Sequence, residues 1–289
     1  MMLPSPHLIA RIERLMGVRT VVWKQMQGGY TPAGRWSVRF SNGTSAFAKV
    51  GTTADTASWL RAEYRIYSQV VAEYLPTLLG WEDGDEPILL LEDLSAAFWP
   101  PPWSHERVEQ VLATLAAVAM TSPPPGLPAL ALSKDRLAGW TRVEDDPAPF
   151  LSLGLCSPAW LEASLPSLLA ADAAAVLDGD SLVHLDVRSD NLCFVGDRVV
   201  LVDWNLACRG NAALDVAAWL PSLAAEGGPD PMAIMPDEPA LAALMSGFFA
   251  ARAGLPPPEG APRVRGVQLS QLKRALPWAA ASLGLPPPA

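Results

Sequence analysis

Three cysteines, three histidines and the lack of any long apolar run set the first limits on this 289-residue chain. Cys156, Cys193 and Cys208 are odd in number and widely spaced, so they suit reduced thiols better than a disulfide framework. No Cys-x-x-Cys pair occurs, and His7, His105 and His184 are scattered, which argues against a zinc site. The longest apolar candidate, residues 111–120, falls well short of a membrane span. The opening stretch mixes Glu13 with arginines and has no signal-type apolar core. The expectation is therefore a soluble, cytoplasmic protein with no membrane partner. Positive charge is also scarce. A formal net charge of −9 argues against nucleic acid as a partner and is compatible with a cationic small molecule. There is no Gly-x-Ser-x-Gly elbow or Cys–His pairing of the kind a serine or cysteine hydrolase needs.

What is present is a large apolar fraction, 50% of residues, enough to core one large domain or two lobes. The chain is organised around residues 182–195 and 199–204. Two short apolar runs, Leu192–Val195 and Val199–Val202, flank Gly196-Asp197-Arg198 and read as a hairpin. Around it cluster His184, Asp186, Arg188, Asn191 and Asp203. Asp186 and Asn191 stand in the pattern His-x-Asp-x-x-x-x-Asn, and Asp203 follows after the hairpin. Phosphoryl transfer needs a carboxylate to accept a hydroxyl proton and hard oxygen donors to hold Mg²⁺ on nucleotide phosphates. Asp186 fits the base, Asn191 and Asp203 fit the metal ligands, and Arg188 can neutralise charge on the transferred group. Turn chemistry alone explains Ser189-Asp190.

His184-Leu185-Asp186, Asn191, Asp203-Trp204 and the later Asp215-Val216-Ala217 resemble the protein-kinase-like superfamily, most closely its aminoglycoside phosphotransferase and choline kinase branch. Two positions depart from the pattern. Leu185 stands where that branch usually has glycine, and Trp204-Asn205 replaces the Phe-Gly of protein kinases. The second departure points to small-molecule kinases, as does the short span from Asp203 to Asp215, which leaves no room for an activation segment. The resemblance implies an α+β, bilobal protein-kinase-like fold. Its small N-lobe, residues 1–93, would be an antiparallel sheet with one helix, and its C-lobe, residues 94–289, larger and mainly helical. It also implies ATP or GTP as donor, Mg²⁺ as metal and a small-molecule hydroxyl as acceptor. An inactive pseudokinase or nucleotide-dependent binding module is the alternative.

Upstream, residues 5–16 read as a short amphipathic helix and Val18–Met26 as a strand. Arg35–Phe40 and Ser45–Val50 pair around Asn42-Gly43, a strong hairpin signal. Gly28 and Gly29 form a loop whose backbone could approach phosphates, although an ordinary hairpin loop reads the same way; in the resemblance it covers the nucleotide. Lys49 lies near the end of the third strand. A helix from about Asp55 to Tyr74 carries an apolar side of Trp59, Leu60, Ile66, Tyr67, Val70 and Val71, with Glu63 in its midst. A buried carboxylate needs a partner, and Lys49 is the natural one, unless Glu63 sits at the stripe's edge in water. The pair resembles the phosphate-gripping lysine and glutamate of the superfamily. Leu78–Trp81 and Ile88–Leu91 are further strands, and order along the chain makes Glu92-Asp93-Leu94 the adenine-facing hinge.

Beyond the proline-rich connector at residues 98–103 the pattern is helical. Helices are expected from Ser104 to Met120, from Leu161 to Val176 with a kink or break at Pro166, from Asn211 to Leu220 carrying Asp215, and around 240–253 and 264–281. In the resemblance Asp215 accepts backbone N–H groups from the catalytic loop. The acceptor side has only weak markers. Asp190, Asp230, Asp237 and Glu238 read as solvated charges, and Trp219 and Trp278 read as core.

Overall fold

The computed structural model describes residues 4–26, 33–258 and 260–288. In chain order the first elements are α1 (Pro6–Met16), β1 (Thr20–Gln25), β2 (Gly34–Phe40), β3 (Ser45–Val50), α2 (Ala54–Gln69), β4 (Leu78–Glu82) and β5 (Ile88–Leu91). The helical stretch follows as α3 (His105–Met120), α4 (Lys134–Leu137), α5 (Trp140–Asp145), α6 (Ala148–Leu151) and α7 (Pro158–Ala174). Then come β6 (Ser181–Val183), β7 (Leu192–Val195), β8 (Arg198–Leu201), β9 (Cys208–Gly210), α8 (Ala213–Ala225), α9 (Pro231–Ile234), α10 (Pro239–Ala253) and α11 (Val264–Ser282). The fold is α+β, with a five-stranded antiparallel sheet in the N-terminal part and a mainly helical C-terminal part. Contacts divide it into two compact units, Met1–Trp99 with Asp190–Ala207, and Pro100–Ser189 with Cys208–Ala289.

In the first unit the sheet order is β1-β2-β3-β5-β4. Gly43 supplies the positive φ of 86° that the β2–β3 turn requires, and Asn42 caps the turn by accepting from the Thr44 N–H at 3.1 Å. Alternation in β3 sends Ala46, Ala48 and Val50 into a core with Val38, Phe40, Ile88, Leu90 and Ile12 of α1, so Lys49 points to the other face. There α2 begins with a capping box between Thr53 and Thr56 and buries Thr56, Leu60, Glu63 and Tyr67 on one stripe. Trp59 and Val71 are off that stripe, at 36% and 103% exposure, contrary to the sequence expectation. The helix also stops short of Tyr74, because Val70 takes an extended conformation and two β-branched residues follow one another. The β7–β8 hairpin turns at Gly196 and buries Cys193 and Val200 against Leu94, so it belongs to this unit.

In the second unit α10 packs against α11, α7 and α5. Trp140, Trp219 and Trp278 are fully buried, which makes the last two core residues, as their setting in the sequence suggests. Pro166 does not divide α7. It lies on the exposed face of the helix, one turn after the exposed Glu162. The short β6–β9 pair, Val183 opposite Cys208, leads directly into the His184–Asp190 loop. Cys193 and Cys208 are buried free thiols, both pushed up to about 12 by burial first of all, so neither is a competent nucleophile. No helix among the described residues is long and apolar enough to cross a membrane.

The close approach of α5 and α10 depends on Gly139, where a Cβ would stand 1.8 Å from the Gly247 carbonyl oxygen. Backbone cannot yield to that overlap without moving a helix. Gly139→Ala should cost about 3 kcal/mol or more in denaturant unfolding. An unchanged midpoint would mean that α10 is free to shift.

Candidate active site

Three residues distant in sequence meet at one ammonium in the first unit. Lys49 Nζ donates to Glu63 Oε1 at 2.9 Å and Oε2 at 2.8 Å, and to Asp203 Oδ1 at 2.9 Å. Lys49 and Glu63 are 6% and 2% exposed, which excludes the solvated reading of Glu63. Asp203 is half-exposed and reached through the hairpin. It takes the left-handed conformation, φ 69° and ψ 53°, which aspartate tolerates better than most residues. Trp204 fixes that turn from behind. It is fully buried, its Nε1 donates to the Leu201 carbonyl at 2.9 Å, and its ring packs on Tyr74. Asn191 is buried at the open end of the same hairpin, where its carbonyl accepts the Val202 N–H at 2.9 Å.

One ammonium serving two carboxylates sets the charges of the group. Burial works against ionising Asp203, but Lys49 beside it outweighs burial and holds the carboxyl at about 2. Burial pushes Glu63 up, and Asp203 adds to the rise; Lys49 opposes both, and the carboxyl ends at about 7. Burial alone would depress Lys49, yet the two carboxylates keep it above the ordinary lysine value. The ionised, accessible member is Asp203.

The second unit holds the His184–Asp190 loop by its backbone. The buried Asp215 carboxylate, near the start of α8, accepts the His184 N–H at 2.8 Å and the Leu185 N–H at 2.7 Å. His184 is itself buried, and its Nδ1 accepts the Asp186 N–H at 3.2 Å. Leu185 adopts φ 66°, a conformation natural to glycine and strained by about 1–2 kcal/mol in leucine. Asp215 keeps the loop in that shape regardless. Asp186 is half-exposed and lies 3.7 Å from Arg188 Nη1. Farther along, Ser189 Oγ donates to Glu226 Oε1 at 2.6 Å, while Trp103 Nε1 donates to the other oxygen at 2.9 Å.

Among the described residues no group of three His, Cys, Asp or Glu side chains could hold a metal ion. Mg²⁺ does not need one, since it binds through one or two protein oxygens together with phosphates and waters. An amide oxygen donor and a carboxylate held ionised at about 2, set at one end of one hairpin, fit that cation.

The phosphotransferase enzyme family model, APH, matches residues 23–266. The chain belongs to that family. No curated protein matches this family member in sequence. Its fold matches a spectinomycin phosphotransferase solved with ADP and spectinomycin, with TM-score 0.61 and 11% identity, covering 98% of this chain and 99% of that one. A choline/ethanolamine kinase family protein from Mesorhizobium loti gives TM-score 0.57 at 13% identity, covering 91% and 92%. A type I macrolide 2'-phosphotransferase gives TM-score 0.53 at 16% identity, covering 98% of each. All three share the kinase-like fold of this phosphotransferase.

The remaining sequence candidates are placed as follows. Gly28 and Gly29 lie outside the described residues. Glu92 is engaged within the fold: its carboxylate pairs with Arg198 and accepts the Thr77 N–H, and its own N–H donates to the Thr77 carbonyl. The Leu94 carbonyl accepts from Ala97 N and Trp99 Nε1, and its side chain packs in the hairpin core. Asp230 caps α9 by accepting the Met232 N–H at 2.9 Å. Two neighbours of the site were not visible in the sequence. Glu226 follows α8 with no motif around it. Tyr67 follows Glu63 by one helical turn, with its hydroxyl buried beside the site.

Asp215 makes the stability of the fold sensitive to pH. Burial raises its carboxyl to about 6, with Asp186 adding to the rise, although both backbone N–H groups oppose it. A folded value above the unfolded one means the native state binds the extra proton, so this contribution to stability falls as pH rises from about 4 to 6 and is flat above. The stability advantage of wild type over Asp215→Asn should shrink by up to about 3 kcal/mol across that window. Parallel stability–pH curves for the two proteins would contradict it.

Proposed function

We propose that this phosphotransferase moves the γ-phosphoryl of a nucleoside triphosphate, ATP before GTP, to a hydroxyl of a small molecule such as an aminoglycoside, an aminocyclitol, an amino sugar or a similar alcohol. The observation that carries the reading is the Lys49–Glu63–Asp203 group, in which residues 14 and 154 positions from the lysine meet at its ammonium. A structural ion pair needs one carboxylate. A lysine shared between a buried and an accessible carboxylate is poised to exchange part of its bonding for phosphate oxygens.

The roles follow from the chemistry of each side chain. Asp186 accepts the proton of the acceptor hydroxyl as its oxygen bonds to the γ-phosphorus and the bond to the nucleoside diphosphate breaks. Arg188, whose Nη1 lies 3.7 Å from the Asp186 carboxylate, offers charge to the transferred group. Lys49, oriented by Glu63, holds phosphate oxygens of the donor. Asn191 and Asp203 would hold Mg²⁺, which neutralises phosphate charge when bound. Glu92 and Leu94 would border the base. Leu185 does not argue for an inactive relative, because its N–H and that of His184 are both held by Asp215. A donor drawn from the cytoplasmic nucleotide pool suits a cytoplasmic enzyme.

Two measurements test the reading. Mg-ATP at a hundredfold its Kd should add about 2.7 kcal/mol to unfolding stability. That gain should require Mg²⁺ and vanish in Asp203→Ala. Asp186→Asn should keep the nucleotide-dependent gain while lowering kcat for any acceptor found by ADP release about 10²–10⁴-fold. Full turnover by the Asp186 variant would remove it as the base, and no nucleotide stabilisation of the wild type would remove the kinase reading.

A further inference from the structure

The cationic side of the group extends beyond Lys49. One ammonium is shared between two carboxylates, Glu63 and Asp203. A second cation stands beside them. Arg35 on β2 is the direct cross-strand partner of Lys49 on β3, and residues directly opposite in an antiparallel pair project from the same face of the sheet. Arg35 lines the same small cavity, about 30 Å³, as Lys49, Glu63, Asp203, Trp59 of α2 and Asn205.

The backbone at Arg35 is fixed. Its carbonyl accepts the Met26 N–H at 3.0 Å, closing the end of the β1–β2 ladder, and its Nη1 donates to the Ala33 carbonyl at 3.3 Å. The residue is half-exposed and lines the cavity. Its positive charge already acts on the site, since with Lys49 it opposes the effect of burial on Asp203 and helps hold that carboxyl down. A guanidinium is a planar fork of donors matched to phosphate oxygens, whereas Lys49 is a point charge committed to two carboxylates.

We propose that Arg35 is a second phosphate-binding residue, which holds the terminal phosphates of the nucleoside triphosphate alongside Lys49. The inference rests on the phosphotransferase reading above and extends it: the preference for a triphosphate over a nucleoside is written on β2 as well as β3. Arg35 is a donor-binding residue and takes no part in proton transfer.

The test is calorimetric titration of wild type, Arg35→Ala and Arg35→Lys with Mg-ATP, Mg-ADP and adenosine, with thermal unfolding of each protein without ligand as a check on folding. Loss of a charge-assisted contact should weaken Mg-ATP binding to Arg35→Ala about 10- to 100-fold, Mg-ADP by less, and adenosine not at all. Arg35→Lys, which keeps the charge and loses the fork, should fall between wild type and Arg35→Ala. Three results would overturn the assignment. Mg-ATP affinity of Arg35→Ala within twofold of wild type would remove Arg35 while leaving the phosphotransferase reading intact. An equal loss for ATP and adenosine would make Arg35 structural. Absence of nucleotide binding by the wild type would take both readings down together.

Discussion

A single ammonium must satisfy two carboxylates brought from different parts of the chain, and much of the first unit is arranged to meet that demand. Lys49 and Glu63 are buried almost completely, where removing either partner would leave an uncompensated charge in a low-dielectric interior. The strand alternation that sends Ala48 and Val50 inward sends Lys49 to the α2 side. The helical spacing that buries Leu60 and Tyr67 sets Glu63 on the same stripe. The hairpin then brings Asp203 to the same nitrogen, with Trp204 buried behind it to hold the turn. A buried pair of this kind adds little net stability compared with apolar packing of the same volume. Its presence in a chain that is half hydrophobic is better explained by what the group can bind than by what it holds together.

The second unit solves a different problem, the control of a short loop whose backbone cannot all be paired within regular structure. Asp215 satisfies two consecutive N–H groups and His184 a third, so three successive residues are held by acceptors from within the unit. This makes leucine tolerable where a left-handed conformation is required. The strain of a single residue is small against the cost of leaving two buried donors unpaired. Glu226 extends the same control to Ser189 and ties it to Trp103, which stacks edge-on against the buried Trp219. The loop is therefore anchored at both ends, and Asp186 between them keeps access to solvent.

Much of this was legible in the sequence because it depends on local spacing. The β7–β8 hairpin, the β2–β3 turn at Asn42-Gly43 and the Ser104 cap of α3 follow from short patterns, and the Lys49–Glu63 pair follows from a carboxylate on an apolar stripe. What could not be read depends on register and on distant packing. Arg35 is an unremarkable strand residue until the β2–β3 register sets it opposite Lys49. Glu226 carries no motif, and only the packing of the second unit brings it to Ser189. The end of α2 is not legible in the sequence because the apolar run continues through Val70 and Val71 after the helix has stopped, and apolar character alone does not distinguish the two conformations.

The chain between Asp203 and Asp215 bears on what kind of acceptor the protein can serve. Residues 204–206 form a single 3₁₀ turn, 208–210 form β9, and α8 begins at Ala213. Almost every residue of the interval is committed to regular structure, and Trp204 and Cys208 are buried. A kinase that recognises an extended peptide, or is switched by ordering a loop, needs a long segment at this point of the chain to dock the substrate or to change state. This chain has none there. The short interval suits a compact acceptor whose recognition requires a few fixed contacts.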